Sequence, residues 1–300
     1  MPDNQIYMLA FDHLVEFEDI FVAGAAPTEE ETALTRQVKT VIFKGVQKAV
    51  THGVPLANAA ILADEHYAAS VMGEAREAGI AFSMPVDPPL GGVILTKGWR
   101  ESLSRYKPTW AKPLLWYNVE GDKEKNRRQI KDTKVLQDWL HANGQQLLLE
   151  ILIPAEPHQV EATGGDVTRY QTEWLPKLIT AAMDEIYSAG IRPQVWKIEG
   201  VPTVEGSKAI GDLATDTGAE CLVLGRGADA ATVGQWLSMA GATPGYRGFA
   251  VGRTIWQQPV IDWKRDRDDD RLIDQIARRY RHLVHAYNGN TVELEEVGVG

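Results

Sequence analysis

Residues 194–202 have the sequence QVWKIEGVP, and this stretch decides the interpretation of the whole chain. Bulky residues such as Val195 and Trp196 are typical of a buried strand. Lys197 and Glu199 lie two residues apart, so both side chains point to the same face of that strand. Burying charged groups is costly unless they are paired or used. We therefore expect this strand to carry either a functional site or an internal ion pair.

Apolar runs of similar length recur along the chain at 6–13, 58–66, 80–87, 112–120, 145–154, 194–200, 220–227 and 248–256. Segments with the spacing of amphipathic helices separate them, among them 28–50, 122–140, 173–190 and 268–287. Eight such strands alternating with helices predict an α/β fold, the closed parallel (β/α)8 or TIM barrel. A doubly wound open sheet is the alternative, but no Gly-x-Gly-x-x-Gly motif follows the first strand. No linker-like segment divides the chain, so we expect a single domain over residues 1–300.

The chain is acidic, with 31 Lys and Arg against 41 Asp and Glu and a net charge of −10. This argues against a general nucleic-acid binder but not against an anionic small molecule, which a local cluster of Arg and Lys can hold. The single cysteine, Cys221, excludes a disulfide within the chain and a thiolate metal cluster. The sequence shows neither a signal-peptide pattern nor a membrane-spanning apolar run. We expect a cytoplasmic protein with no nucleic-acid or membrane partner, and homo-oligomerisation is left open.

Polar residues concentrate at the predicted carboxyl ends of the strands, where (β/α)8 barrels carry their active sites. They are Asp12, His13, Asp64, Glu65, His66, Asp87, Asn118, Glu120, Glu150, Lys197, Glu199, Arg226 and Arg253. The predicted strand starts are mostly apolar, and Lys112, at the start of the fourth run, is the exception. A barrel that is only required to be stable has no need of this asymmetry, so the strand ends are predicted to form an active-site rim.

Lys197 is the candidate nucleophile of this rim. Its apolar neighbours and the nearby cation Lys112 are both expected to lower its pKa from about 10.4, because each disfavours the charged form. A neutral amine attacks a ketone to form a Schiff base, and the protonated imine allows a neighbouring carbon–carbon bond to break. This retro-aldol reaction needs a base, for which Glu150 and Glu199 are the candidates. The alternative is a structural salt bridge of Lys197 with either glutamate, and the residues alone do not choose between the two.

A Gly-Arg pair follows each of the last two strands: Gly225-Arg226 in LGRGAD and Gly252-Arg253 in AVGRTIW. Loops after strands seven and eight often bind phosphate in this fold. Glycine lets backbone N–H groups approach a phosphate closely, and arginine adds two parallel hydrogen bonds. The alternative is that these arginines pair with carboxylates on the rim. Their repetition favours a site for a small-molecule sugar phosphate.

A bound divalent metal is another means of polarising a carbonyl. Asp64 and His66 face the same way and His13 lies on the neighbouring strand. However, no His-x-x-x-His pair is present, and no histidine on a later strand end completes a ligand set. We therefore expect neither a metal nor another cofactor.

With these residues identified, the sequence resembles the class I tagatose-1,6-bisphosphate aldolase group over nearly its whole length. The shared strings, in the same order, are LAFDH, ILADEHY, AKPLLWYNVE, LLLEILIP, VWKIEGVP and AVGRTIW. LGRGAD together with GFAVGRTIW makes the chain more similar still to the aldolase-like domain fused to 5-dehydro-2-deoxygluconokinase in bacterial inositol catabolism. The resemblance implies a Schiff-base role for Lys197, acid–base roles for Glu150 and Lys112, substrate contacts of Asp12, and phosphate binding by Gly252 and Arg253.

Two departures from the bisphosphate aldolases concern the substrate. Leu14 and Val15 stand where that group usually places an arginine after the first-strand Asp, which puts a second phosphate in doubt. Arg226 stands where that group has smaller residues, so the anion site is expected to differ. Both departures fit a substrate with one phosphate and a different group, such as a carboxylate, at its far end.

We therefore expect a class I aldolase that cleaves 2-deoxy-5-keto-D-gluconate 6-phosphate to dihydroxyacetone phosphate and malonate semialdehyde. The alternatives are a class I aldolase for a tagatose, fructose or sulfo-sugar phosphate, and a non-catalytic barrel that binds sugar phosphates. The predicted catalytic residues are Lys197, Glu150, Lys112 and Asp12, and the predicted substrate-binding residues are Arg253, Gly252, Arg226, Gly225, Glu199 and Asn118.

Overall fold

The computed structural model describes residues 5–88 and 95–290. The strands in this part of the chain are β1 (Ile6–Ala10), β2 (Ala59–Leu62), β3 (Ala81–Pro85), β4 (Trp110–Lys112), β5 (Leu114–Trp116), β6 (Gln146–Leu152), β7 (Val195–Glu199), β8 (Glu220–Leu224) and β9 (Tyr246–Val251). They pair in the order β4-β3-β2-β1-β9-β8-β7-β6-β5, and a pairing of β4 with β6 closes the sheet. Since β4 and β5 both pair with β6 as two halves of one strand, the sheet is a closed barrel of eight parallel strands. The predicted (β/α)8 fold is confirmed.

Helices surround the barrel. In the described residues they are α1 (Val15–Phe21), α2 (Glu29–Thr51), α3 (Ala69–Glu77), α4 (Trp99–Tyr106), α5 (Lys123–Ala142), α6 (Pro157–Ala162), α7 (Val167–Arg169), α8 (Leu175–Ser188), α9 (Val204–Asp216), α10 (Ala230–Gly241), α11 (Arg253–Asp266) and α12 (Asp269–Tyr287). A 3₁₀ turn precedes β2 at Leu56–Asn58, and a π-helical turn at Tyr170–Trp174 joins α7 to α8. The sequence periodicity predicted α2, α5, α8 and α12 to within two residues at each end. Across the described stretches, no helix combines the length and the apolar character that membrane crossing requires.

The fourth barrel strand differs from its prediction. The sequence predicts that this strand starts at Lys112, whereas it starts at Trp110. Pro113 then interrupts this strand between β4 and β5, because proline has no N–H to donate to a neighbouring strand. The carbonyl oxygen of Pro113 still accepts a hydrogen bond of 3.1 Å from the N–H of Glu150. Lys112 is therefore not at a strand start: it lies halfway along the barrel, level with the other polar side chains.

Side chains alternate between the two faces of each strand, so one core lies inside the barrel and another lies between the strands and the helices. Inward-facing side chains such as Met8, Leu148 and Val195 fill the lower barrel. Outward-facing neighbours such as Trp196 and Ile198 pack against the helices. Because strand side chains repeat every two residues, the residue two positions after Val195 also faces inward. That residue is Lys197, so the same alternation that fills the barrel with apolar groups places the lysine above them.

Three side chains outside the cavity lie in the outer core. Cys221 on β8 is fully buried, and burial raises the pKa of its thiol, as is typical of an inert cysteine. Trp236 and Trp263 are 7% and 0% exposed within one copy of the chain, so packing of the outer helices accounts for both. Homo-oligomerisation and the single domain over residues 1–300 stay predictions.

The barrel closes where β1 pairs with β9, and Gly248 permits this contact. Gly248 is paired with Ile6 and has a φ of +151°, which disfavours an L side chain. A Cβ atom placed there would lie 1.9 Å from the carbonyl oxygen of Ile6. The two backbones can therefore approach to ladder distance only without a side chain at this position.

We predict that Gly248→Ala lowers the free energy of unfolding by more than about 1 kcal/mol, because it combines backbone strain with a clash against the neighbouring strand. Urea denaturation measures the change. Gly234→Ala on α10 is the matched control, since its added Cβ would meet nothing closer than 4.0 Å. The control is expected to be neutral or stabilising by up to about 1 kcal/mol. Equal midpoints for the two variants would contradict this account of the barrel closure.

Candidate active site

A cavity of about 380 Å³ opens at the carboxyl ends of the barrel strands. Every residue predicted for the site lines it except Glu199 and Asn118, so it is lined by Lys197, Glu150, Lys112, Asp12, Arg253, Gly252, Arg226 and Gly225. His13, Glu16, Asp64 and Asp87 also line it. The structure therefore brings most of the predicted residues together in one chamber, and it adds three acidic residues, Glu16, Asp64 and Asp87, that were not among the predicted catalytic or substrate-binding residues.

Lys197 and Glu150 form the centre of the site. They are directly paired in register on β7 and β6. The Nζ atom of Lys197 lies 2.7 Å from Oε1 of Glu150, and the two residues are 5% and 7% exposed. The ion pair that the sequence analysis gave as the alternative is thus present, and it lies in the cavity wall. Such a pair is compatible with catalysis because the carboxylate can hold the amine and exchange a proton with it.

Lys112 is surrounded by three carboxylates. Its Nζ lies 3.2 Å from Oδ2 of Asp12, 3.2 Å from Oε2 of Glu150 and 3.5 Å from Oδ1 of Asp87. Burial alone would lower the pKa of Lys112, but Asp87, Asp12 and Glu150 together raise it well above its ordinary value. Lys112 therefore stays charged. Glu150 uses one oxygen for each lysine, so it lies between the two amines.

The three carboxyl groups differ in how readily they ionise. Burial opposes ionisation of Asp12, but Lys112, His13 and Lys197 hold its pKa below the usual range. The pKa of Glu150 is likewise lowered, because Lys197 and Lys112 outweigh the effect of burial. The pKa of Asp87, in contrast, is raised to about 6 by burial, and the attraction of Lys112 does not compensate for it. Of the three carboxyl groups around Lys112, two are thus held ionised and one has a pKa raised toward neutrality.

The Gly252-Arg253 pair lies where α11 begins. Gly252 precedes the first helical residue, Arg253, and no side chain in the described residues caps this helix end. A Cβ on Gly252 would lie 2.3 Å from the carbonyl oxygen of Ala10 and 2.9 Å from Cε1 of His13, so only glycine fits there. The side chain of Arg253 is about one-third exposed, and its Nη1 lies 3.8 Å from Oε1 of Glu16. Its guanidinium therefore borders the cavity without a tight carboxylate partner.

Arg226 is held differently. It has a left-handed backbone, with a φ of +47°, and its guanidinium pairs with the buried carboxylate of Glu199. Oε2 of Glu199 also accepts a hydrogen bond of 2.9 Å from the N–H of Ile153, and burial raises the pKa of this carboxyl. Glu199 is therefore engaged at the rim rather than with Lys197. Arg226 therefore pairs with a carboxylate on the rim, which was the alternative to phosphate binding, although it still borders the cavity.

Asn118 lies away from the cavity. Its side-chain NH₂ donates hydrogen bonds of 2.8 Å to the carbonyl of Pro154 and 2.9 Å to Oε1 of Gln159, and its Oδ1 accepts one of 2.9 Å from the N–H of Glu120. The residue is only 2% exposed. These contacts join the loops that follow β5 and β6, so the structure gives Asn118 a loop-bracing position rather than one against a substrate.

Asp64, considered above as a metal ligand, is part of a buried ion pair that the sequence analysis did not predict. Lys39 on α2 is fully buried, pairs with Asp64 and donates a hydrogen bond of 3.0 Å to the carbonyl oxygen of His13. The other oxygen of Asp64 accepts a hydrogen bond of 2.7 Å from the N–H of Tyr67. His66 is exposed beside the Tyr67 ring. Lys39 lies on the buried face of α2. The helical spacing of its apolar neighbours was the feature of the sequence that could have indicated a buried lysine.

The comparisons with known proteins can be judged against this geometry. Residues 2–291 match the family described as uncharacterized protein conserved in bacteria (DUF2090), and the chain belongs to that family. No curated protein matches it. Among solved structures, it is similar to fructose-bisphosphate aldolase from Plasmodium falciparum in complex with TRAP and a small-molecule inhibitor, with a TM-score of 0.63 and 14% identity over 95% of this chain and 91% of that one.

A second solved structure with a similar fold is Cgl0159 from Corynebacterium glutamicum, with a TM-score of 0.55 and 16% identity. The alignment covers 95% of this chain and 87% of that one. At these identities the two likenesses establish the barrel fold. The function has to be argued from the site itself.

We predict that Lys39→Met destabilises the protein by about 3–5 kcal/mol, because it leaves the carboxylate of Asp64 buried without its cation. The double variant Lys39→Met/Asp64→Asn is expected to recover most of this loss, since asparagine removes the charge but keeps an acceptor for the N–H of Tyr67. Urea denaturation of both variants measures the difference. If the double variant were no more stable than the single one, Asp64 would not be the partner that Lys39 neutralises.

Proposed function

We propose that this protein is a class I aldolase that cleaves a phosphorylated keto-sugar acid, 2-deoxy-5-keto-D-gluconate 6-phosphate, through a Schiff base on Lys197. The observation that carries the proposal is the position of Lys197: a buried amine, 2.7 Å from Glu150, on the wall of a cavity that also presents Lys112 and Arg253. The fold shared with a fructose-bisphosphate aldolase supports it as an analogy.

The first step joins the substrate to Lys197. The neutral amine attacks the ketone carbon C5, and loss of water gives an iminium ion. Glu150 is the acid–base group nearest to Nζ, so it takes the proton that the ammonium must lose and returns one to the departing oxygen. Lys112, held charged by its carboxylates, keeps Glu150 in place and adds positive charge beside the amine.

The second step breaks the bond between C3 and C4. A base removes the proton of the C3 hydroxyl, whose electrons form the carbonyl of malonate semialdehyde. The electrons of the broken bond move into the iminium and give an enamine on Lys197. Protonation at C4 and hydrolysis then release dihydroxyacetone phosphate and restore the lysine. Asp12, which is kept ionised 3.2 Å from Lys112, is positioned to accept hydrogen bonds from substrate hydroxyls.

We propose that the phosphate binds at the start of α11. An uncapped helix N-terminus presents backbone N–H groups and a positive dipole end, which together favour a phosphate. The guanidinium of Arg253 borders the same place and has only a distant carboxylate neighbour. Arg226 follows the neighbouring strand β8 and also borders the cavity, but its pairing with Glu199 limits its freedom. An anion site at the start of α11, together with the lack of an arginine at Leu14 and Val15, supports one phosphate rather than two.

The choice of substrate rests on the resemblance to the aldolase-like domain of inositol catabolism and on the absence of an arginine at Leu14 and Val15. Tagatose, fructose and sulfo-sugar phosphates would use the same lysine chemistry. A panel of these compounds, assayed for release of dihydroxyacetone phosphate, separates them. The keto-sugar acid is expected to have the highest kcat/KM, and a higher value for another ketose phosphate would reassign the substrate but keep the reaction.

We predict that borohydride reduction in the presence of dihydroxyacetone phosphate labels the peptide that contains residues 194–202, because reduction fixes the iminium on Lys197. Peptide mass analysis locates the label. Lys197→Met should abolish it, and Lys208→Met, which removes an exposed lysine from an outer helix, should leave it unchanged. An unlabelled peptide in a wild-type protein that still gains thermal stability from the ligand would indicate a non-catalytic sugar-phosphate sensor.

We also predict that Arg253→Met weakens binding of dihydroxyacetone phosphate by roughly 10- to 100-fold, as expected for the loss of a charge-assisted hydrogen bond of about 1.5–3 kcal/mol. Trapping of unphosphorylated dihydroxyacetone on Lys197 should stay unchanged, because the lysine itself is untouched. The measurement is the concentration dependence of borohydride trapping for both ketones. Arg278→Met, on an exposed position of α12, is the control. An equal loss for the two ketones would place the phosphate elsewhere.

A further inference from the structure

Asp87 differs from the other carboxylates of the cavity in what its oxygens contact. Both oxygens of Glu150 are engaged, one by each lysine. Oδ2 of Asp12 is hydrogen-bonded to Lys112 at 3.2 Å, whereas its Oδ1 lies 3.6 Å from Nδ1 of His13 without a hydrogen bond. Oδ1 of Asp87 is buried and makes no hydrogen bond within the described residues, and Lys112 is 3.5 Å away from it. Of the three carboxyl groups, Asp87 therefore has the longest contact with an amine, and its side chain lines the cavity.

The backbone holds Asp87 in this position. The N–H of the preceding residue, Val86, donates a hydrogen bond of 3.1 Å to the carbonyl of Lys112, and the carbonyl of Val86 accepts one of 2.7 Å from the N–H of Thr96. The side chain of Asp87 is about 10% exposed and lines the cavity. An acceptor without a hydrogen-bond partner, fixed in a buried wall, is costly in a site that only has to be stable.

The balance of charge explains why this group differs. Lys112 and Lys197 supply two positive charges to three carboxyl groups, those of Asp12, Glu150 and Asp87. Two carboxylates are neutralised and one is in excess. The carboxyl group that binds a proton most readily is the one for which burial outweighs the attraction of a cation. This group is Asp87, whose pKa is raised to about 6. Environments that drive the pKa values of neighbouring acids apart are the usual basis for assigning acid and base roles.

We infer that Asp87 is the catalytic base of carbon–carbon cleavage: it takes the proton of the C3 hydroxyl, while Glu150 serves the amine of Lys197. This assignment rests on the proposed aldolase function and makes it more specific. The O–H proton passes to Asp87, the O–H electrons form the aldehyde carbonyl, and the C3–C4 electrons pass into the iminium to give the enamine. One proton is later added at C4, so the turnover is neutral in protons, and Asp87 must ionise again before the next substrate.

Other groups that face Asp87 or line the same wall set the background of any pH profile. Asp12, Lys112 and Glu150 face it from β1, β4 and β6, and their pKa values are displaced away from neutrality. Asp64 at the end of β2 is held in its ion pair with Lys39. Lys197, Glu16, Arg226 and Arg253 carry the remaining charges of the wall.

His13 is the remaining group with an ordinary pKa near neutrality, and burial lowers it. A profile of the wild-type protein alone therefore cannot be assigned to one residue. Comparison with an Asp87 variant can assign it, because the limb that belongs to Asp87 disappears with the carboxyl group.

The test is Asp87→Asn, with two measurements. Cleavage is expected to slow by roughly 100-fold or more, as for the loss of a general base. The wild-type rate should fall as the pH decreases through about 6, because the base must be ionised, and this limb should be absent from the residual activity of the variant. Borohydride trapping of dihydroxyacetone phosphate on Lys197 should persist within about threefold, since a general base contributes only to the step it serves and imine formation does not use Asp87. Asp87→Glu should restore part of the rate.

Two further observations make the outcome decisive. Asp216→Asn, at an exposed position of α9 outside the cavity, is the matched control and should keep the wild-type profile. Carbon NMR of ¹³C-labelled aspartate, with the Asp87 signal assigned by its loss in Asp87→Asn, should show a midpoint near pH 6 without any substrate. Cleavage that survives in Asp87→Asn, an unchanged acid limb, or an NMR midpoint at the ordinary value for aspartate would overturn the inference. If the wild type failed to trap the ketone, the aldolase proposal would fail, and the NMR titration would still decide the proton-exchange behaviour of Asp87.

Discussion

The site depends on a shared carboxylate, Glu150, that contacts two buried amines at once. Its oxygens lie 2.7 Å from Lys197 and 3.2 Å from Lys112. An isolated ammonium or carboxylate could not persist at this depth, because the loss of hydration would neutralise it. Lys112 also contacts Asp12 and Asp87, whereas Glu150 is the one carboxylate within 4.0 Å of the Lys197 amine in the described residues. Removing Glu150 would leave the ammonium of Lys197 without its partner, so the remaining geometry of the cavity depends on it.

The barrel fixes this arrangement through strand alternation. On β6 and β7 the inner face changes from Leu148 and Val195 to Glu150 and Lys197 within one repeat. The apolar layer below excludes water from the base of the cavity, which strengthens every electrostatic contact above it. Pro113 interrupts the fourth strand directly above Lys112, so the chain can continue along β6 after the break. Lys112, Glu150 and Lys197 therefore belong to the uppermost layer of side chains inside the barrel and lie on strands rather than on loops.

Local periodicity explains what could be predicted from the sequence. The strand positions, the inward direction of Lys197 and the glycine at 252 follow from residues close together in the chain. Partners contributed by distant segments could not be predicted in this way. The pairing of Lys39 with Asp64 joins a helix to a strand end, and Glu199 could be assigned to Lys197 or to Arg226 until their positions were known. Lys112 was misplaced because the start of a three-residue strand has almost no periodicity to read.

Asp87 illustrates why the protonation behaviour of a site residue could not be predicted from the sequence. Its position at a strand end was visible in the sequence, but its behaviour depends on a count of charges within a few ångströms. The peripheral ion pairs, Lys39 with Asp64 and Arg226 with Glu199, each match one cation to one carboxylate. At the centre, three carboxyl groups compete for two amines, so not every charge can be satisfied. In an ion pair of one cation with one carboxylate both charges are neutralised, so transfer of a proton to or from the carboxylate would not stabilise the pair further. A cluster with one acid in excess contains a carboxyl group whose pKa is raised toward neutrality, here Asp87, and such a group gains and loses a proton easily.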